Sequence, residues 1–323
     1  MSFPALVDGL GRTINYLRLS VTDRCNLRCQ YCMPQDGVEW VSHNKVLRFE
    51  EMLKICSVLA GMGISVIKIT GGEPLLRQGV TSFAKELKKV NGIHHITLTS
   101  NGVLLEEHLP ALAEAGIEAA NMSIDTLNKE RFQWLTRSDM AVNVLSVIGK
   151  ATELGIRVKM NCVLIRNFNE DDIAQLAGLA KDMHIAVRFI ELMPMGIAAE
   201  LQPLPADEAI SLIEREYGTL QICTEKLGNG PAVYYKPPGF KGHIGFISAM
   251  SRSFCENCNR LRLTATGMLR PCLSSDFGLD LASLVREGAS DKKLEEAMRN
   301  LVAQKPAGHH FGWVNENMFR IGG

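Results

Sequence analysis

The sequence predicts an α/β fold: an incomplete (β/α)6 barrel of the TIM type over residues 1–200, followed by a smaller C-terminal domain over residues 201–323. Three observations carry this. Between residues 14 and 195, six short apolar runs alternate with stretches of helical period, and such alternation implies a parallel sheet covered on its helical side. Gly63, Gly92, Gly116 and Gly155 each stand just before a run, where a helix end takes a residue at positive φ. After Met193 the alternation stops, so the barrel falls short of the usual eight units.

Taken in order, the strands fall at 15–21, 65–70, 95–100, 119–124, 157–164 and 186–190. The stripes Phe49, Met52, Leu53, Cys56, Leu59 and Val80, Phe83, Leu87, Val90 give the first two helices their apolar faces. Beyond Met193, a helix at 205–217 leads to β-like runs at 219–223, 233–236 and 244–247, and a last helix falls near 292–303. The C-terminal piece is expected to pack over the open flank of the barrel. Polar residues gather where strands end: a cysteine loop after the first, Gly71-Gly72-Glu73-Pro74 after the second, Ser100-Asn101-Gly102 after the third, Asp125 after the fourth and Glu191 to Pro194 after the sixth.

Composition narrows the function classes. Lys+Arg and Asp+Glu are equal at 35 each, so no global field draws the chain to nucleic acid or to anionic lipid. No apolar run approaches the roughly 18 residues that span a bilayer. The start MSFPALVDGL lacks the charged and apolar regions of a signal peptide, so the expectation is a cytoplasmic protein whose nine cysteines stay reduced.

Three of those cysteines, Cys25, Cys29 and Cys32, lie within eight residues as C-x3-C-x2-C. Thiolates so crowded read as ligands for zinc or an iron–sulfur cluster, and a three-ligand site leaves one position for a water, substrate or cofactor. A zinc knuckle completed from elsewhere is the bland alternative. Cys255, Cys258 and Cys272 form a second set of three, spaced C-x2-C-x13-C. Alone it would suit zinc, with His243 or His309 as the fourth ligand; beside the first set, a second iron–sulfur site is the simpler account. Around it stand Arg252, Arg260, Arg262 and Arg270 against one acid, Glu256. Arg260 and Arg262 alternate with Leu261 and Leu263 on one face of a short strand, a pairing suited to phosphate oxygens. Arg252 and Arg270 read as partners of surface acids or of the cluster charge. Cys56 lies on the apolar stripe of its helix and Cys162 and Cys223 within strand-like runs, so all three read as core residues.

The cysteine loop with Tyr31, followed by Gly71-Gly72-Glu73-Pro74, resembles the radical S-adenosylmethionine (SAM) superfamily. The second cysteine set, the run Cys258-Asn259-Arg260-Leu261-Arg262 and the terminal Gly322-Gly323 are similar to its GTP-cyclising family of molybdenum cofactor biosynthesis, from about residue 12 onward.

This resemblance implies two [4Fe-4S] clusters, one on Cys25, Cys29 and Cys32 with SAM on its open iron, the other on Cys255, Cys258 and Cys272 in the C-terminal domain. It implies SAM contacts at Tyr31, Gly72, Ser123 and Met193, and GTP contacts at Arg18, Lys68, Thr99, Lys159, Arg260, Leu261 and Arg262. Lys68 stands where the family usually has arginine, which keeps the charge and loses the bidentate fork. No side chain is expected to act as a catalyst itself; cluster and SAM carry the chemistry, cyclising GTP to (8S)-3′,8-cyclo-7,8-dihydroguanosine 5′-triphosphate. The implied partners are GTP, an electron donor of flavodoxin or ferredoxin type, the downstream cyclic pyranopterin monophosphate synthase and a second copy of the chain. The rival readings are a radical SAM enzyme that modifies peptides and a zinc-binding interaction protein.

Overall fold

The computed structural model describes residues 5–225, 227–311 and 318–322; Gly323 lies outside them. The first half alternates as read: β1 (Tyr16–Ser20), α1 (Phe49–Gly61), β2 (Val66–Thr70), α2 (Val80–Lys88), β3 (His95–Ser100), α3 (Leu105–Glu114) and β4 (Ala119–Ser123). Two helices, α4 (Lys129–Thr136) and α5 (Val144–Glu153), precede β5 (Arg157–Leu164), and α6 (Ile173–Asp182) precedes β6 (Ala186–Glu191). Then come α7 (Ala206–Tyr217), β7 (Gln221–Cys223), β8 (Val233–Lys236), β9 (His243–Ile247), β10 (Arg260–Leu263), β11 (Met268–Arg270) and β12 (Leu279–Asp280). The helices α8 (Leu281–Arg286), α9 (Asp291–Ala303) and α10 (Met318–Ile321) follow.

All twelve strands form one sheet, in the order β12-β11-β10-β1-β2-β3-β4-β5-β6-β9-β8-β7. The six strands β1 to β6 run parallel. The C-terminal segment adds strands at both edges of this sheet: β10 pairs parallel with β1, and β9 pairs parallel with β6. Eight strands therefore run in one direction, as in a complete barrel, yet the sheet stays open, ending in the antiparallel ribbons β11-β12 and β8-β7.

Period-two alternation separates two environments. Leu17, Leu19, Ile67, Ile69, Ile96 and Leu98 are fully buried in the apolar core that the helices cover. The residues between them face the lumen, and neighbouring strands set them side by side: Arg262 pairs with Arg18, and Arg18 with Lys68. Ser123, Asn161 and Arg188 form a second row across β4, β5 and β6. These rows make one side of the lumen cationic, while the main hydrophobic core lies outside it and a smaller apolar cluster around Met195 and Phe311 borders the cavity. Among the described residues no helix is long and apolar enough to cross a membrane.

Candidate active site

The first cysteine loop follows β1 at the C-terminal end of the parallel strands. A tight turn closes it, with the Cys32 and Met33 N–H groups donating to the Cys29 carbonyl at 2.8 and 3.0 Å. Gly71 and Gly72, after β2, press against it: the Gly72 N–H donates to Thr22 O (2.9 Å) and the Glu73 N–H to Arg24 O (2.8 Å). A Cβ on Gly71 would sit 2.6 Å from Thr22 O, so only glycine allows this approach. Glu73, fully buried, accepts from Asn101 N (2.7 Å) and Leu75 N (3.1 Å), which ties the loop after β3 to the same point.

All three thiols are free. Burial pushes Cys25 up to about 11 and Cys32 up to about 12, and pushes Cys29 well above the usual thiol range, with the neighbouring sulfurs and Asp125 adding to Cys29. Sulfurs held so are protonated until a cation takes the proton's place, and N–H donors stand ready for the resulting charge. Leu27 N (3.4 Å) and the Asn101 side chain (3.7 Å) donate to Cys25, and the Phe319 N–H donates to Cys32. Three convergent soft donors with N–H groups around them fit a cubane cluster with one open iron.

The second set lies at the opposite mouth. Cys255 and Cys258 precede β10, which runs parallel to β1, and Cys272 follows the antiparallel β11, so these three sit at the N-terminal end of the parallel strands. Burial raises the Cys258 thiol, but Arg260 and Lys305 outweigh it and bring the value down to about 7. His309 lines the cavity beside this set. His243, the other candidate fourth ligand, lies elsewhere, within 4.8 Å of ligand atoms of Cys223 and Glu225. Cys223 is accordingly half-buried, where the sequence suggested core, whereas Cys56 and Cys162 are fully buried as expected.

Between the two mouths runs a cavity of about 270 Å³. Tyr31, Ser123 and Met193 line it at the first end, Arg18, Lys68 and Thr99 along its length, and Arg260, Arg262, Cys255, Cys258 and Cys272 at the second. The Tyr31 hydroxyl donates to Asp125 (2.8 Å), whose carboxyl burial pushes up to about 6 although the Val163 N–H and Tyr31 bonds oppose it. Burial, then the neighbouring cations, lower Lys68 well below the usual lysine range, and burial lowers Arg18 to about 10. So many cations in one lumen cost energy that a bound anion relieves. Part of that demand is met from within: the Gly322 carbonyl accepts from Arg18 Nε (3.3 Å) and Arg262 Nη1 (2.9 Å).

Three expected residues are placed differently from these. Gly72 packs on the backbone of Asp23 and Arg24. Leu261 points its side chain into the apolar core. Lys159 donates to Leu227 O, and burial, with Arg188 and Arg157, brings its ammonium down to about 8. Arg252 pairs with Asp207 on the surface at 2.7 Å, the bland reading made for it.

Sequence reasoning passed over Arg188. It is 6% exposed and lines the cavity, and among the described residues its Nε has no hydrogen-bond partner, nor has the Asn161 Oδ1 beside it in the row. A lone arginine inside the apolar strand Ala-Val-Arg-Phe-Ile was the available signal.

A parallel barrel sheet with a three-cysteine loop after its first strand defines the radical SAM class, and residues 19–180 match the model of the radical SAM superfamily. Residues 185–311 match a second family, Molybdenum Cofactor Synthesis C. A GTP 3′,8-cyclase of Moorella thermoacetica is 44% identical over 322 residues, covering 98% of this chain and 99% of that one. One from Clostridium perfringens (strain 13) is 40% identical over 321 residues, at 98% and 99% coverage. The chain belongs to the GTP 3′,8-cyclase family of the radical SAM superfamily. A crystal structure of Streptococcus suis SuiB bound to S-adenosylmethionine shares the fold, with a TM-score of 0.59 at 15% identity over 96% of this chain and 73% of that one. Membership of the superfamily implies a [4Fe-4S] cluster and SAM as cofactors.

Proposed function

We propose that the chain converts GTP to (8S)-3′,8-cyclo-7,8-dihydroguanosine 5′-triphosphate, cleaving SAM to methionine and 5′-deoxyadenosine, as an early step of molybdenum cofactor biosynthesis. What carries this reading is a cation-lined lumen running between two cysteine sets at opposite mouths of the barrel. When bound, the cluster and SAM supply a reductively generated carbon radical that takes hydrogen from the ribose, and the protein's part is to place and enclose.

Cys25, Cys29 and Cys32 would hold the first cluster, and Cys255, Cys258 and Cys272 a second [4Fe-4S] cluster facing guanine. Tyr31, Ser123 and Met193 border the space for SAM; Gly72 acts through the backbone it brings against the loop. Arg18, Lys68, Thr99, Arg188, Arg260 and Arg262 take the nucleotide, with Lys159 reaching it when it leaves Leu227. Leu261 contributes through its main chain alone. Holding the triphosphate on fixed cations spends remote binding energy on placing the ribose. Residues 1–200 then serve SAM and supply part of the GTP site, and residues 201–323 supply the second cluster and the rest of the GTP site, their strands sharing one sheet.

Six ligating thiols require a reducing compartment, so we infer a cytoplasmic location, a one-electron donor of flavodoxin or ferredoxin type, and hand-over to the cyclic pyranopterin monophosphate synthase. A homodimer is part of the same reading. For the peptide-modifying alternative there is a crystal structure of SuiB bound to precursor peptide SuiA, and the likeness to it extends to the fold alone.

The test is anaerobic: protein with reconstituted iron and sulfide receives dithionite, SAM and GTP, and the products are separated and weighed. Deoxyadenosine with a new species of GTP's mass and altered retention is expected. Deoxyadenosine without that isomer would move the substrate assignment elsewhere, and neither product from iron-replete protein would end the proposal.

A further inference from the structure

We propose that Lys305 is the positioning residue of the second cysteine site: a buried cation that ties its two halves together and sets its electron affinity. The inference rests on the reading above that Cys255, Cys258 and Cys272 hold a cluster. These cysteines come from two segments separated by the β10-β11 hairpin, so something must hold the segments in register.

Lys305, just beyond α9, is 4% exposed. Its ammonium has three donors, and two backbone carbonyls take two of them. One is the carbonyl of Arg260 (2.9 Å), two residues after Cys258; another is the carbonyl of Pro271, directly before Cys272. The charge of the Cys258 sulfur acts on the same ammonium. One side chain thereby bridges both ligand segments beside a ligand.

The strap that carries Lys305 is anchored in turn by Arg12. Its guanidinium donates to Cys255 O (2.7 Å), Lys305 O (3.2 Å) and Pro306 O (2.8 Å), while Asp8 holds its Nε at 2.6 Å. The third cysteine is thus joined to the same strap from its other side. A lysine so placed is not there for packing: burying an ammonium is costly unless it is fully hydrogen-bonded and meets negative charge, and ligated thiolates supply that charge. A fixed cation and an N–H donor beside sulfur stabilise the more negative, reduced cluster and raise its potential.

The test uses the full chain carrying Cys25→Ser, Cys29→Ser and Cys32→Ser together, so that only the second site takes up iron. About four irons per chain are expected in this background; absence of iron there would remove the second-cluster reading and this proposal with it, before Lys305 is touched. With iron present, Lys305→Met is expected to lower the reduction potential in an EPR-monitored titration. The same change should release iron to a chelator about 10-fold faster or more, as loss of a ligand-supporting contact does. Lys305→Arg, which keeps the charge and the donors, should recover much of both. A Lys305→Met protein with unaltered potential and release rate would overturn the proposal, as would Met and Arg variants equally impaired.

Discussion

At the scale of single residues, Arg188 shows how a charge inside an apolar strand becomes part of a site. Its neighbours Val187 and Phe189 are fully buried in the outer core, which obliges Arg188 to face the lumen. There, an unpartnered Nε is a donor awaiting an acceptor. Arg188→Ala should weaken GTP binding by about 10- to 100-fold, since a hydrogen bond to a charged group contributes roughly 1.5–3 kcal/mol. Iron content should be unchanged and Arg188→Lys should recover only part; equilibrium binding to cluster-replete protein measures it, and unaltered affinity in the alanine variant would exclude the residue. Glu73 gives a pH dependence. Burial lifts its carboxyl to about 7, although the bonds from Asn101, Leu75 and Ser100 pull the other way. Because the folded value is raised, the folded state favours the protonated form. Its stabilising contribution is full below about pH 4.5, the unfolded value, and is lost as pH rises through 7. By linkage that loss is about 3 kcal/mol. Urea unfolding of cluster-free protein at pH 5 and pH 8 should show the decline, and Glu73→Gln should reduce it, leaving the part due to the raised carboxyl of Asp125; an equal decline in the glutamine variant would assign the effect to other groups.

At the scale of elements, the six barrel strands were legible within a residue or two, because an apolar run bounded by glycine and polar residues has few other solutions. Gly116 (φ 77°) and Gly155 (φ 73°) end α3 and α5 as the sequence suggested. The strands β11 and β12, of three and two residues, carry too little pattern to be read. The loop after β2 is where an element meets the site. Gly71→Ala forces a methyl group to 2.6 Å from Thr22 O, and backbone on both sides leaves little room to yield. A cost of about 1–3 kcal/mol is expected, together with reduced iron at the first site. Gly61→Ala, in α1 with nothing within 4 Å of the new Cβ, should be neutral or stabilise by up to about 1 kcal/mol. Thermal melts and iron analysis of the two variants would decide; equal behaviour would refute the packing argument.

At the scale of the whole molecule, the C-terminus returns to the first two strands. Gly322, at φ 82°, places its carbonyl on Arg18 and Arg262, and a Cβ there would stand 2.9 Å from Ser20 Cβ. The tail therefore shares its arginines with the proposed triphosphate site. Gly322→Ala is expected to lower turnover several-fold as the strained tail leaves the arginines, while iron content holds. Full activity in that variant would make the tail a bystander. The Arg18–Gly322 bond spans some three hundred residues of sequence and has no local signature.

What the sequence determined by itself was the chemistry and the repeating unit: two sets of three thiols at metal spacing, arginines alternating with leucines, and strand–helix alternation. These are short-range facts, written in neighbouring residues and fixed by the periods of strand and helix. Only the tertiary structure decided that β9 and β10 extend the barrel from opposite edges, that the two cysteine sets stand at opposite ends of the parallel strands with a cation-bearing cavity between, and that Arg188 and Lys305 line it. Strand order and the convergence of buried charges follow from long-range pairing, in which each edge accepts whichever strand best satisfies its open N–H and C=O groups; no local pattern records that choice.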